Sequence, residues 1–210
     1  MALSPDALPA LRGGLLALLA AALFGVSTPL VQQFGAGLGA FSTAALLYAG
    51  AAAVGLLSRQ RIEREARLQR SDLPRLLAMA AFGAAIGPVA LAWGLQNTSG
   101  TSASLMLTLE ALFTAVLAWR LYRETMDGRV WTAMALLLAG GMVLVLDQGR
   151  TGGAQLWGLL AVLLATAAWG IDNTLSRALA ERDPGQVVMA KALLGATATA
   201  ALALAFGEPL

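Results

Sequence analysis

Long apolar stretches make up most of the chain, broken at intervals by short segments rich in Arg, Gly and Ser. From Gly13 to Ser58 no charged residue occurs, which is room for two spans of about 20 residues each. Between them, Gln32-Gln33-Phe34-Gly35-Ala36-Gly37-Leu38-Gly39 reads as a tight turn. Further apolar runs cover Leu76 to Leu95, Thr101 to Trp119, Val130 to Leu146, Leu156 to about Ser176 and Val187 to Phe206. In hydrocarbon an unpaired backbone group costs several kcal/mol, so runs of this length must satisfy their own hydrogen bonds as helices; Ala- and Leu-rich sequence suits that. The pattern predicts an all-α integral membrane bundle with seven transmembrane helices.

Composition agrees. The chain is 58% hydrophobic and 12% charged, whereas a soluble domain carries about a quarter charged residues. Its net charge of +2 comes almost entirely from Arg, gathered in a few connecting segments. Nucleic acid is therefore not the implied partner; the lipid bilayer is. Arg12 precedes the first span, Arg59, Arg61, Arg64, Arg67, Arg70 and Arg75 follow the second, Arg120, Arg123 and Arg129 the fourth, and Arg177 and Arg182 the sixth. The odd-numbered connections hold only Arg150. Cytoplasmic loops hold the excess of positive charge, which places the N-terminus in the cytoplasm. Arg12 before an apolar run also looks like the start of a secretory signal, but Gly13 to Val31 is long for one and six spans follow.

The first span matches the sixth at a constant offset. Gly13 to Leu30 superimposes on Gly158 to Leu175 without a gap, with eight of eighteen positions identical and Phe24-Gly25 in register with Trp169-Gly170. Two unrelated Ala/Leu helices are the bland alternative. The copies lie an odd number of spans apart, the first and the sixth, so they enter from opposite sides and the repeat is inverted. Ser27-Thr28-Pro29 ends one copy and Asp172-Asn173-Thr174 the other. Pro29 cannot donate to the Gly25 carbonyl, and interrupted helices at corresponding positions of two halves point to a substrate site.

These residues resemble the EamA type of the drug/metabolite transporter superfamily. Phe24-Gly25-Val26-Ser27-Thr28-Pro29 looks like its first-helix pattern, and Ala111-Leu112-Phe113-Thr114-Ala115-Val116-Leu117-Ala118 with Arg123-Glu124 resembles its fourth helix and Gly-Glu end. Trp169-Gly170-Ile171-Asp172-Asn173, Ser176-Arg177 and Asp183-Pro184 look like the start of its second repeat. The resemblance implies ten helices in two inverted five-helix repeats, a solute pathway between them, both termini cytoplasmic, and mostly outward movement of amino acids, other metabolites or drugs across a bacterial inner membrane. Residues 1–147 would be the first repeat and 148–210 the first two helices of the second. The expectation is then either a truncated product or a chain completed by a partner, a second copy or a complementary half. Two substitutions depart from the pattern: Glu110 stands where Pro is common, and Arg123 replaces the usual Gly before Glu124.

Glu110 lies at the middle of the fourth span, where a charge costs about 2.5 to 3.5 kcal/mol on insertion scales. It reads either as a carboxyl coupling solute movement to protons or binding a substrate amine, or as a packing residue bonded through Thr108, Ser104 or Thr114. Asp172 and Lys191 lie eleven residues before and eight after the turn near Asp183. Their depths differ by only about 4 to 5 Å, so they can pair, as a packing bridge or as a gate near the cytoplasmic mouth. Asn173 is a candidate substrate contact. Trp93 and Trp169 could stack on a solute, whereas Trp131 and Trp157 read as interfacial anchors. Gly83 and Gly87 are spaced for close helix contact. Arg59 to Arg75, with Glu63, Glu65 and Asp72, reads as a short solvated cytoplasmic helix that could touch anionic lipid.

Chemistry is bounded by what is missing. With no Cys and no His, thiolate catalysis, His-based triads and HExxH zinc sites are excluded, and neither cofactor nor metal is expected. An aspartyl dyad needs two facing Asp residues, and Asp172 alone lies inside a span, so an enzyme is disfavoured. A non-transporting scaffold or assembly subunit remains the alternative, although Glu110 and Lys191 within spans argue for a transporter of a small-molecule solute.

Overall fold

The computed structural model describes residues 7–57, 66–151 and 153–210. Seven of its helices are long and apolar enough to cross a membrane, and no strand occurs among the described residues. The first span is α1 (Ala7–Phe34) and the second α2 (Ala40–Leu57). The third comprises α3 (Leu73–Met79), a π-helical segment (Ala80–Ile86) and α4 (Gly87–Asn97), and the fourth α5 (Gly100–Leu107) and α6 (Glu110–Tyr122). The fifth, sixth and seventh are α7 (Gly128–Thr151), α8 (Gly153–Ser176) and α9 (Pro184–Ala205).

Polar contacts sort the connections to two ends. At the Arg-rich end, the Arg182 guanidinium meets the buried Asp72 carboxylate at 2.9 Å, the Asp183 amide donates to the Ala66 carbonyl at 2.7 Å, and Arg177 pairs with Glu124. The Leu68 amide also donates to the Gln186 side chain at 2.8 Å. Connections two, four and six therefore converge. At the opposite end, the Gln96 amide donates to the Gly35 and Leu38 carbonyls, and Gln32 donates to those of Leu95 and Thr98. There the Glu208 carboxylate accepts from the Ser42 amide at 2.8 Å and lies against Gly39, which has no Cβ to obstruct it. An acid at the N-terminal turn of α2 also complements its dipole. Phe41 stacks on Phe206 at 5.2 Å beside it.

Of the solvated helix expected over Arg59 to Arg75, only residues 66–75 are described. Arg59, Arg61, Arg64, Glu63 and Glu65 lie outside the described residues. Arg70–Asp72 is a single 3-10 turn, and Asp72 faces inward because Arg182 and the Gln69 amide satisfy its oxygens.

Small residues set the packing. Lipid tails are as apolar as Leu, so helices in a bilayer gain from close approach at Gly and Ala. A Cβ on Gly94 would meet Val162 at 2.7 Å, and one on Gly158 the Asn97 main chain at 2.6 Å, so α4 and α8 touch backbone to backbone. Leu91, Leu95, Met106, Leu109, Leu159 and Val162 fill the core beside this seam. α2 packs along α9, with Gly55 against Met189. α1 and α7 are peripheral, and Leu and Val side chains cover their outward faces.

The sequence suggests interruptions at Ser27-Thr28-Pro29 and Asp172-Asn173-Thr174, but α1 and α8 run through both. Hydroxyls fold back onto their own helices: Ser27 donates to the Phe24 carbonyl, Thr174 to that of Gly170 and Ser176 to that of Asp172. These bonds keep the side chains local and the helical ladder in place. The breaks fall in the third and fourth spans instead.

Candidate functional site

In the third span the backbone widens into a π turn, in which each amide reaches five residues back; Gly87 thus donates to the Phe82 carbonyl. The next bond in that register would run from residue 88 to Gly83, but Pro88 has no N–H to give. The Gly83 carbonyl, left over inside the membrane, takes two donors from other spans. Tyr48 of α2 donates its hydroxyl at 2.5 Å and Trp169 of α8 its indole N–H at 3.1 Å.

Asp172 sits on the same glycine. A Cβ at Gly83 would collide with its carboxylate, and the Trp169 indole lies just as closely over Gly87. The expectation of close helix contact at Gly83 and Gly87 therefore matches the arrangement. Lys191 of α9 meets Asp172 Oδ2 at 2.6 Å with both side chains largely buried, and Asp172 Oδ1 has no hydrogen-bond partner among the described residues. Trp169 donates to Gly83 and is edge-on to Phe24 at 5.8 Å. Phe24 and Trp169 are also the aromatics that fall in register when Gly13 to Leu30 is laid on Gly158 to Leu175.

The fourth span breaks at Thr108-Leu109. Both amides bond only three residues back, to Leu105 and Met106, and the Thr108 hydroxyl donates to the Leu105 carbonyl at 2.7 Å. Glu110 thus becomes the first residue of a half-helix, where free amides and the positive end of the dipole favour a negative charge. Asn173 of α8 donates to Glu110 Oε1 at 2.7 Å. No ion pair forms at Glu110 among the described residues. The partners expected from sequence, Thr108, Ser104 and Thr114, do not hold this carboxylate: Thr108 is turned to Leu105, and Asn173 takes the place on a neighbouring helix.

A cleft of about 600 Å³ opens on Glu110 and Asn173. Thr108 and Thr114 supply hydroxyls along it, Ala111, Ala115 and Ala118 leave its floor low, and Glu124 closes the Arg-rich end. Asp172 and Asn173, adjacent in sequence, serve different neighbours: Asp172 faces α9 and the π turn, Asn173 faces α6. Ser27 and Pro29 do not line this cleft. Trp131 and Trp157 are exposed on the outer surface, and so is Trp93.

Sequence reasoning missed Tyr48, Gln32 and Glu208. For Tyr48 the sequence signal was misleading: Pro88 in an α-helical register frees the carbonyl of Ala84, and only the π turn shifts the freed acceptor to Gly83. Gln32 and Glu208 bond to main chain far away in sequence, which no local pattern shows.

No solved structure matches the chain. An "uncharacterized transporter" of Methanothermobacter thermautotrophicus is 29% identical over 123 residues, 57% of this chain and 36% of that protein. The chain thus spans about a third of the length of that relative. The model of the EamA-like transporter family matches residues 11–146, from the first span through the fifth. With that match over more than half of its length, the chain belongs to the EamA-like transporter family.

Proposed function

We propose that this transporter moves small organic solutes outward, amino acids, other metabolites or drugs, across a bacterial inner membrane with its N-terminus in the cytoplasm. In this reading it works by alternating access between the five-helix unit at 1–147 and an inverted unit beginning at 148. The observation that carries it is Glu110: an acid with no ion-pair partner among the described residues, at the start of a half-helix in mid-span, facing an open cleft. A scaffold has no use for a carboxylate there.

Glu110 and Asn173 are the solute contacts, with Thr108 beside them. The carboxylate accepts from a substrate amine or carries the coupling proton. Asp172 and Lys191, braced by Trp169, hold the opposite face of α8 in place or gate it, and Ser27 and Pro29 mark the equivalent point on the first helix.

Glu110→Gln keeps shape and hydrogen bonding but cannot ionise. Normal abundance in membranes with loss of pH-driven flux is the expected outcome, read in vesicles under an imposed pH gradient. Unchanged gradient-driven flux would leave Glu110 as a packing residue and remove the coupling role.

A further inference from the structure

We propose that the Arg-rich mouth of the fourth span binds a phosphate group, held by Arg120 and Arg123 and presented by an anionic lipid or a soluble phosphate. These residues line a recess of about 510 Å³ with Trp119, Glu124, Thr125 and Met126. Its one acid is already engaged: Glu124 pairs with Arg177, whose guanidinium also lies 4.5 Å over the Tyr122 ring. Among the described residues neither Arg120 nor Arg123 has an ion-pair partner, so two guanidinium groups face the recess uncompensated. Planar guanidinium forks match phosphate oxygens in pairs, and the Thr125 hydroxyl adds another donor. Trp119, edge-on to Trp131 at 5.4 Å, belongs at the depth where aromatic rings meet headgroups.

Topology and the helix dipole account for Arg120, which lies in the last turn of α6. They do not account for Arg123. It has φ 55° and ψ 35°, the left-handed conformation that a glycine adopts without strain. A positive charge serving orientation alone could stand at residue 125 or 126 with no such strain. A long cationic side chain kept on a strained backbone beside a second free Arg points to a ligand.

The test is thermal unfolding of the purified chain in a neutral detergent, with phosphatidylglycerol, phosphatidylcholine or inorganic phosphate added. Phosphatidylglycerol or inorganic phosphate should raise the midpoint by about 5 °C near saturation, and phosphatidylcholine should not. A rise with phosphatidylglycerol alone identifies a lipid site, and a rise with both shows that the phosphate group suffices. Arg123→Gly should unfold no earlier than the parent in detergent, because the strain is relieved, yet respond less. Arg120→Gln with Arg123→Gly should lose the response, and Arg129→Gln, outside the recess, should keep it. If the double variant is too unstable to measure, Arg120→Gln alone carries the comparison. No rise with either additive, a parental response in the recess variants, or an equal loss in Arg129→Gln would overturn the proposal.

Discussion

Asp172 ties three spans together, since its carboxylate joins α8 to α9 through Lys191 and lies on the glycine of the π turn. Removing one partner of a buried pair costs about 3 to 5 kcal/mol because the other charge is left uncompensated. Lys191→Ala should therefore lower the folded yield in membranes more than Lys191→Ala combined with Asp172→Asn, as fluorescence-detected gel filtration would show. Equal yields would mean that the pair contributes nothing. This contact was legible in the sequence because both residues sit on one hairpin, where counting from the turn gives depth. The Glu110–Asn173 bond was not, because it joins spans 63 positions apart and depends on how α6 and α8 are rotated. Arg123 lies between these cases: the departure from Gly was visible, but its meaning needed the backbone angle.

At the scale of elements, span number and extent followed from hydropathy, since in a bilayer length and backbone satisfaction leave few choices. The places where helices break did not follow. Pro29 lies within an unbroken α1, while the fourth span breaks at Thr108-Leu109 with neither Gly nor Pro to announce it. A hydroxyl that satisfies a carbonyl can hide one break and permit another, and its rotamer is set by packing. Pro88 affords the cleaner test. With Ala at 88 an amide becomes available to the Gly83 carbonyl, so the Tyr48 hydroxyl matters less. Tyr48→Phe should cost about 1 to 2 kcal/mol in the parent and clearly less in the Pro88→Ala background, by chemical unfolding. Identical costs in the two backgrounds would show that the carbonyl has no need of the phenol.

At the largest scale, seven crossings send Ala7 and Leu210 to opposite sides. If the Arg-rich end is cytoplasmic, a reporter fused after Leu210 should be extracytoplasmic. Alkaline phosphatase active at that junction and green fluorescent protein dark there is the expected pair of readings, and the reverse would overturn the seven-span orientation.

α9 is tied at both ends, at one to the segment that leads into α3 and at the other to α2. Asp72, Ala66 and Leu68 reach Arg182, Asp183 and Gln186 at one, while Glu208 and Phe206 reach Ser42 and Phe41 at the other. A beam pinned at both ends resists splaying at either. In the alternating-access reading proposed above, α9 would be the fixed element, and α6, which carries Glu110 along its broken span, the flank left free to travel.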